Sequence, residues 1–507
     1  MMWAGVLAAI AAVGAGPAAA LTPAACADLT RAQFSDAVGA ATTIQSAELV
    51  PASDGKPAHC RVVANIAPSI GVEVRLPAQA WSGRFLFTGC GGLCGIINSR
   101  AGDDALKRNY AVATTDMGHR LPANGDERAW TKDKALVTDW LHRSTHLATV
   151  LAKAVIAQAY GTAQSHAYYR GCSTGGRQGL TEALMYPEDF DGIIAGAPAA
   201  NMVTPHNVFA FARNTRAGGK TILTAAAITL LADAALVACD MDDNLKDGVI
   251  ADPAACGFDP AALACTGAAG DSCLTAEQVA VAKSIYGGAA RADGTPFYPM
   301  GYAKGSERAW IAGLIGVDGK PPGRAGSARF LLDTLIGPTA TLPDFDYAKH
   351  GLTGGPIGGL LDYGPDGRKL SAFKDRGGKI LLYHGWSDTD ATPASSLEFH
   401  AAQAKAFGPD KLPEFLRMFM LPGMAHCRGG NGVNTVDYLS AMEAWVERGQ
   451  APDRLIAFKT TLPPDSYPAF PLAADTVVGS RPVFPYPAVA VYGGTGDATD
   501  AANWRVK

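Results

Sequence analysis

The sequence predicts a doubly wound α/β fold, with a mostly parallel sheet and a large domain inserted into it. From about residue 61 to residue 199, short β-like runs alternate with helix-like runs, which is typical of a parallel sheet covered by helices. From about residue 204 to residue 373 this alternation gives way to helical segments and Gly/Pro-rich turns, and strand-like runs resume at Lys379. We therefore expect one sheet domain in two parts, 21–203 and 374–507, around a lid domain at 204–373.

The composition and net charge of the chain argue against nucleic acid and membrane surfaces as binding partners. The 507 residues are 48% hydrophobic and 18% charged, with a formal net charge of −4, as in a compact globular protein. This balance offers no basic field for nucleic acid or for an anionic membrane surface. A small neutral or weakly charged ligand fits best.

The first twenty residues resemble a signal peptide. An apolar run from Trp3 to Val13 is followed by a Gly/Pro break and by the small residues Ala18 to Ala20. The mature chain is expected to start near Leu21, and the protein to be secreted or periplasmic. The leader has no Lys or Arg, which leaves an N-terminal membrane anchor as the alternative. No later stretch reaches the roughly 20 apolar residues that a spanning helix needs, so no membrane contact is expected after processing.

Ten cysteines predict a disulfide framework in an exported chain. A zinc site is the alternative, but it would need paired CxxC elements or a histidine cluster, and the sequence has neither. Neighbours in sequence suggest three bridges, namely Cys90 with Cys94, Cys239 with Cys256 and Cys265 with Cys273. Spacing does not settle the pairing of the remaining four, which are Cys26, Cys60, Cys172 and Cys427.

A nucleophile motif is the strongest functional signal. The segment Gly171–Gly176 reads G-C-S-T-G-G, a G-x-S-x-G pattern that follows a β-like run and precedes a helix-like run at Arg177–Tyr186. A sharp strand-to-helix turn requires small residues two positions before and after the nucleophile, and it leaves the Ser173 hydroxyl exposed above the sheet. The context indicates an α/β-hydrolase with Ser173 as its nucleophile.

A serine nucleophile needs a base, and His426 has the best position. In this fold the order is serine, acid, histidine, and His426 is the last histidine of the chain, in a loop after a strand-like run. If Cys172 pairs with Cys427, their Cα atoms lie roughly 4.4 to 6.8 Å apart, which brings Ser173 and His426 together. The alternative is that both cysteines are buried thiols.

The acid is expected after the strand-like run Lys379–Tyr383. The turn that follows contains Asp388 and Asp390, either of which could orient the imidazole of the base. We favour Asp388, although spacing alone leaves Asp390 open. His384, in the same turn, is expected to shape it rather than to react.

An ester hydrolase also needs donors for the oxyanion of its tetrahedral intermediate. A Gly-rich loop at Phe87–Gly95 follows a strand-like run, and its amides at Cys90 or Gly91 could reach that oxyanion. The amide of Thr174, directly after the nucleophile, would supply the other donor. A plain tight turn is the alternative for the loop.

An acidic loop in the inserted region predicts a cation site or a solvated turn, without deciding between them. The carboxylates of Asp240, Asp243 and Asp247, with the carbonyl oxygens of Leu245 and Val249, could form an oxygen cage for calcium. The spacing is not that of an EF-hand, which requires Gly at the sixth position and Glu at the twelfth.

Taken together, the segments Gly171–Gly176, His384–Asp388 and Gly423–Cys427 resemble the tannase and feruloyl esterase family, from about Cys26 to the end of the chain. The resemblance implies a serine carboxylic-ester hydrolase that acts on esters of aromatic acids, through a Ser-His-Asp triad and an acyl-enzyme. A hydrolase of terephthalate monoesters is an alternative within the family. From other classes, a serine peptidase of the same fold or a non-catalytic binding protein remain alternatives.

The resemblance also implies structural features. It pairs Cys172 with Cys427, Cys26 with Cys60, Cys239 with Cys256 and Cys265 with Cys273. It implies that the acidic loop holds structural calcium, on Asp240, Asp243 and Asp247 and the backbone oxygens of Leu245 and Val249. Two departures stand out, because Cys90 and Cys94 add a bridge to the proposed oxyanion loop, and the lid around Ala325–Thr334 matches too weakly to carry over any substrate contact.

Overall fold

The computed structural model describes residues 20–122, 127–200, 203–216, 219–268, 270–290, 293–316, 366–463 and 466–507, with residues 322, 328–329, 332–333, 336–337, 339–346, 361 and 364 between them. The predicted signal peptide therefore lies outside the described residues except for Ala20. Most of the segment Ala325–Thr334 lies outside them as well. No helix of the described residues is long and apolar enough to cross a membrane.

The strands and helices are numbered in chain order. The strands are β1 (Thr42–Val50), β2 (His59–Ile66), β3 (Ile70–Pro77), β4 (Arg84–Thr88), β5 (Ala111–Thr115), β6 (His166–Cys172), β7 (Gly192–Gly196), β8 (Lys379–Gly385), β9 (Leu416–Leu421), β10 (Thr435–Val436), β11 (Leu455–Thr460), β12 (Val477–Val483), β13 (Ala490–Tyr492) and β14 (Trp504–Val506). The α-helices are α1 (Pro23–Asp28), α2 (Ser35–Val38), α3 (Asp103–Lys107), α4 (Lys134–Thr138), α5 (Ser144–Tyr160), α6 (Thr174–Met185), α7 (Val203–Arg213), α8 (Ala225–Cys239), α9 (Ala276–Gly287), α10 (Glu307–Trp310), α11 (Ser371–Asp375), α12 (Ala394–Phe407) and α13 (Tyr438–Arg448).

One nine-stranded sheet organises the fold, in the order β1-β2-β3-β5-β4-β6-β7-β8-β9. Strands β1, β2, β3 and β5 pair antiparallel, and every pairing from β5 through β9 is parallel. Two smaller antiparallel sheets, β10-β11-β12 and β13-β14, are built by the last part of the chain. The predicted α/β class with a mostly parallel sheet is confirmed.

Alternation of side chains along the buried strands explains why helices cover both faces of the sheet. In β4, Phe85 and Phe87 join the apolar core on one face, while Leu86 between them joins the core on the other. Successive strand residues point to opposite faces, so a strand that is apolar throughout must be covered on both sides. Helices α5 and α6 contribute to the first core, and α13 contributes to the second.

The inserted region builds a separate core. It lies between β7 and β8, which pair directly in parallel although 182 residues lie between Gly196 and Lys379. Its core includes Ile228 and Leu231 of α8, Ile285 of α9 and the fully buried Trp310 of α10. Because both flanking strands belong to the parallel part of the sheet, the insertion leaves and re-enters the sheet domain beside the nucleophile strand β6.

Candidate active site

The turn between β6 and α6 holds Ser173 in a conformation that few residues adopt. Ser173 has φ 64° and ψ −125°, and it is followed at once by the first residue of α6. A Cβ added to Gly171 would lie 2.6 Å from the carbonyl of Gly175, and one added to Gly176 would lie 2.1 Å from the carbonyl oxygen of Gly196. The small residues of the motif are therefore required by the close approach of backbone around Ser173, as expected for a nucleophile elbow.

The Gly-rich loop after β4 packs against this elbow. The hydroxyl of Thr174 donates to the carbonyl oxygen of Gly92 at 2.7 Å. The amide of Cys90 donates to Oε1 of Gln178, at 3.3 Å, so one of the two predicted loop donors already has an acceptor in α6. Among the hydrogen bonds of the described residues, none uses the Gly91 amide, and Gly91 is exposed. The amide of Thr174 lies in the first turn of α6, where helix N–H groups lack intrahelical partners.

A buried apolar cluster packs against the Gly-rich loop. The Cys90–Cys94 disulfide packs with Met117, Trp130 and Trp140, all of them buried. The loop is therefore packed against buried side chains, as expected if its backbone N–H groups are to be held in fixed positions.

The Cys172–Cys427 disulfide joins the elbow to the loop after β9. The two Cα atoms lie 6.0 Å apart, across a sequence separation of 255 residues. Ser173 and His426 are the residues next to these cysteines on the inner side of that long covalent loop. The bridge therefore brings together the nucleophile and the base that the sequence predicted.

The carboxylate of Asp388 contacts His426 directly. Its Oδ2 lies 2.7 Å from Nδ1 of His426, and its Oδ1 accepts hydrogen bonds from the amides of Asp390 at 2.8 Å and Ala391 at 2.9 Å. Asp388 is fully buried, whereas Asp390 is exposed. The structure thus brings Asp388, and not Asp390, to the imidazole.

Burial alone would raise the pKa of the Asp388 carboxyl, but the charge of His426 and the hydrogen bonds from the imidazoles of His384 and His426 outweigh it. The pKa therefore lies well below its usual range, and the group is a carboxylate at any pH near neutrality. A carboxylate held in this way favours the His426 tautomer with its proton on Nδ1. That tautomer leaves Nε2 as the atom that can accept a proton.

Backbone contacts fix the loops that carry the acid and the base against each other. The amide of Ser387 donates to the carbonyl of Met424 at 2.9 Å, and the amide of Trp386 donates to that of Leu421 at 2.9 Å. A Cβ at Gly385 would lie 2.3 Å from the carbonyl oxygen of Met424. Gly385 is therefore needed for this close approach.

His384 contributes a contact that the sequence did not reveal. Its Nε2 lies 3.2 Å from Oδ2 of Asp388 and 2.5 Å from the carbonyl oxygen of Ala391, while Nδ1 lies 2.7 Å from Oγ of Ser396. The ring has no exposed surface. Since the Ala391 carbonyl can only accept, the proton belongs on Nε2, and His384 is then a second imidazole donor to the oxygen that holds His426. The spacing of four residues between His384 and Asp388 was the only sequence signal for it.

All five disulfides predicted from spacing and resemblance are present. They are Cys26–Cys60, Cys90–Cys94, Cys172–Cys427, Cys239–Cys256 and Cys265–Cys273. The chain has no free cysteine, so the thiol alternative for Cys172 and Cys427 is wrong.

The acidic loop after α8 is folded around Asp240. Its buried carboxylate accepts hydrogen bonds from the amides of Asp247, Gly248 and Val249 at 3.0 to 3.2 Å. The buried Asp243 accepts from the amide of Leu245 at 3.1 Å. The side chains thus turn toward backbone donors of the loop, and among the described residues the three carboxylates do not form a group whose ligand atoms all lie within 4.8 Å.

Arg481 of β12 is the cation next to these aspartates. Its guanidinium donates to Oδ2 of Asp243 at 2.6 Å and lies 3.9 Å from Oδ2 of Asp247. Burial raises the pKa of Asp243, and burial with repulsion from Asp243 raises that of Asp247 to about 6 against the opposing charge of Arg481. One guanidinium does not compensate three carboxylates, so the chemistry of these oxygen donors suits a further cation, although in this structure their ligand atoms do not converge on one point.

Comparison with known proteins places this site in a family. The profile of the tannase and feruloyl esterase family matches residues 55–320 and 364–506. The chain belongs to the tannase and feruloyl esterase family. It is 32% identical to the mono(2-hydroxyethyl) terephthalate hydrolase of Piscinibacter sakaiensis, over 88% of this chain and 84% of that protein.

Solved structures agree with this assignment. The crystal structure of feruloyl esterase B from Aspergillus oryzae aligns with a TM-score of 0.80 and 27% identity, covering 96% of this chain and 100% of that one. The tannin acyl hydrolase of Aspergillus niger aligns with a TM-score of 0.69 and 20% identity, over 92% and 91% of the two chains, and this shows the shared fold. As a family member, the protein is a carboxylic ester hydrolase.

Proposed function

We propose that this esterase hydrolyses esters of aromatic carboxylic acids, with Ser173 as nucleophile, His426 as general base and Asp388 as the acid that orients it. The observation that carries the assignment of roles is the 2.7 Å contact between Asp388 and His426. The loop that holds His426 is joined by a disulfide to Cys172, the residue before Ser173. The aromatic acyl group is supported by the named activities of the relatives, feruloyl esterase B and mono(2-hydroxyethyl) terephthalate hydrolase.

The proposed reaction has two steps. The hydroxyl oxygen of Ser173 attacks the ester carbonyl while Nε2 of His426 takes the proton, and the imidazolium returns it to the departing alcohol. Water, deprotonated by the same imidazole, then attacks the acyl-enzyme, and the imidazolium returns the proton to the Ser173 oxygen as the bond between this oxygen and the acyl group breaks and the acid leaves. The Gly91 and Thr174 amides stabilise the oxyanion in both steps, and Gly91 replaces Cys90 as the loop donor because the Cys90 amide is already bonded to Gln178.

The acidic loop is proposed to hold structural calcium. The carboxylates of Asp240, Asp243 and Asp247, with the carbonyl oxygens of Leu245 and Val249, would hold the ion. Oxygen donors of this kind suit Ca²⁺. Bound there, the cation supplies positive charge that Arg481 alone does not, and it takes no part in the chemical steps.

Export of the chain is proposed from two features. Five disulfides persist best in an oxidising compartment, which is periplasmic or extracellular in this proposal. The leader resembles a signal peptide, as the sequence indicates.

Methyl esters test the acyl group, because they share one leaving alcohol. We expect kcat/KM for methyl ferulate or methyl gallate to exceed that for methyl octanoate at least tenfold, and Ser173→Ala to lower it at least 1000-fold through loss of the nucleophile. Steady-state hydrolysis followed by chromatography is the measurement. A preference for methyl octanoate contradicts the proposed aromatic acyl group. Faster cleavage of mono(2-hydroxyethyl) terephthalate favours the terephthalate alternative, and cleavage of ferulamide favours the peptidase.

His384 is expected to act on the reaction through Asp388. In His384→Phe the Asp388 carboxylate loses a donor, so its charge acts more strongly on His426 and stabilises the imidazolium. We expect kcat to fall roughly 10-fold with little change in KM, and the acid limb of the kcat/KM profile to move to higher pH.

Variants of Asp388 and Asp390 serve as the positive and negative controls for the His384→Phe experiment. Asp388→Asn should lower kcat by about 10³ to 10⁴, and Asp390→Asn should change it less than fivefold. A His384→Phe enzyme with lower kcat but an unshifted acid limb would show that His384 only fills space.

Calcium removal tests the acidic loop. Treatment with EGTA is expected to lower Tm by roughly 5 °C or more, because a ligand that binds only the folded state stabilises it, and added Ca²⁺ should restore the value while Mg²⁺ should not. Asp240→Asn should abolish the response, and the exposed Asp242→Asn in the same loop should retain it. An unchanged Tm in EGTA contradicts the site.

A further inference from the structure

A polar pocket lies beside the disulfide that joins the elbow to the histidine loop. Its cavity volume is about 90 Å³, and it opens to solvent on one side. Its wall includes Cys427 and the next residue, Arg428, and it extends to the end of β6, the start of α13 and the loop after β11. Neither the elbow nor the proposed mechanism uses it.

Among the described residues of the wall, one cation has no carboxylate in contact with it. Arg170 is neutralised by Asp104, with two contacts of 2.6 Å between guanidinium and carboxylate. The other acid in the wall, Asp437, accepts the amide of Ser440 as the cap of α13. No carboxylate of the described residues lies within 4.0 Å of the half-buried guanidinium of Arg428.

The remaining polar groups of the wall are mainly donors. Both Thr435 and Thr460 donate their hydroxyls to Oδ1 of Asn434 at 2.9 Å, which leaves the Asn434 amide nitrogen to donate. Asn98 donates to the hydroxyl oxygen of Tyr467 at 3.1 Å, so the Tyr467 hydroxyl proton is available as well. The carboxylate of Asp104 is bound to Arg170 and that of Asp437 caps α13, so the donors around Arg428 suit an anion.

Aromatic surfaces define the shape of the pocket. The guanidinium of Arg428 lies 4.4 Å from the ring centre of Tyr467, and Tyr383 stacks on Tyr438 with ring centres 4.1 Å apart. Burial raises the pKa of both stacked tyrosines, so their hydroxyls remain neutral. Flat apolar walls favour a planar ring, and a guanidinium pairs well with a carboxylate.

We propose that this pocket binds a small aromatic carboxylate, with Arg428 as its counter-ion. The choice of an aromatic acid rests on the proposed function, since such an acid is the product the enzyme would release. The site is also linked to both active-site loops. The Arg428 amide donates to the His426 carbonyl at 2.8 Å, and the Asn98 to Tyr467 bond connects the pocket to a residue three positions after the Gly-rich loop.

Benzoate titrated into the full chain is the test, by calorimetry at constant ionic strength. Ser173 is first blocked with a serine-directed phosphonate, so that benzoate binding in the active site is excluded. We expect one benzoate per chain, at least tenfold weaker binding of the neutral isostere benzamide, and at least tenfold weaker benzoate binding in Arg428→Gln. Arg448→Gln, an exposed residue of α13, removes the same charge elsewhere and should bind benzoate like the unaltered chain.

A second variant, Asn434→Asp, tests the pocket independently in case Arg428→Gln does not fold. Asn434→Asp keeps the acceptor for the two threonine hydroxyls but replaces a donor with a negative charge, and it should weaken benzoate binding at least tenfold. The proposal is overturned if benzoate does not bind, if benzamide binds equally, or if Arg428→Gln binds within twofold of Arg448→Gln. Failure of the phosphonate to label Ser173 would instead contradict the proposed function, and the variants would then be compared without the block.

Discussion

The Cys172–Cys427 disulfide is the constraint on which the site depends. Strands β6 and β9 are separated in the sheet by β7 and β8. Neighbouring strands lie about 4.8 Å apart, so the ends of β6 and β9 are about 14 Å from each other. The loop after β9 must therefore return across two strands before His426 can reach Ser173. The covalent bond between the residues next to these two side chains holds the loop in that position. Asp388, in the turn after the intervening β8, then contacts the imidazole of His426.

The parallel arrangement explains how the rest of the chain converges on this bond. The carboxyl ends of β6, β7, β8 and β9 lie at the same edge of the sheet, where open α/β folds bind their ligands. Ser173, the insertion, Asp388 and His426, with the three side chains as the proposed nucleophile, acid and base, follow these four strand ends in turn. The insertion leaves and re-enters at this edge without interrupting the sheet, since β7 and β8 pair as neighbours.

The sequence predicted features whose cause is local, and missed those that depend on distant partners. The elbow was predictable because crowded backbone around Ser173 allows only small neighbours. The sequence also located the turn after β8 that holds Asp388, but only the folded contact with His426 distinguishes Asp388 from Asp390. His384 was given only a role in the turn, since its contact with Asp388 depends on the folded turn. The pairing of Arg481 with Asp243 joins residues 238 positions apart, with no local signal. The three antiparallel strands at the sheet edge were likewise not distinguished from the parallel ones.

Removing the bridge tests the central claim most directly. Cys172→Ala with Cys427→Ala opens a loop of 255 residues, and by the chain-entropy account costs about 5 kcal/mol in the free energy of unfolding. The control pair, Cys265→Ala with Cys273→Ala, opens a loop of only 8 residues in the insertion. Assayed where circular dichroism shows both proteins folded, the first should lose at least 100-fold in kcat/KM and the control less than twofold. Full activity of the folded first variant would contradict the account.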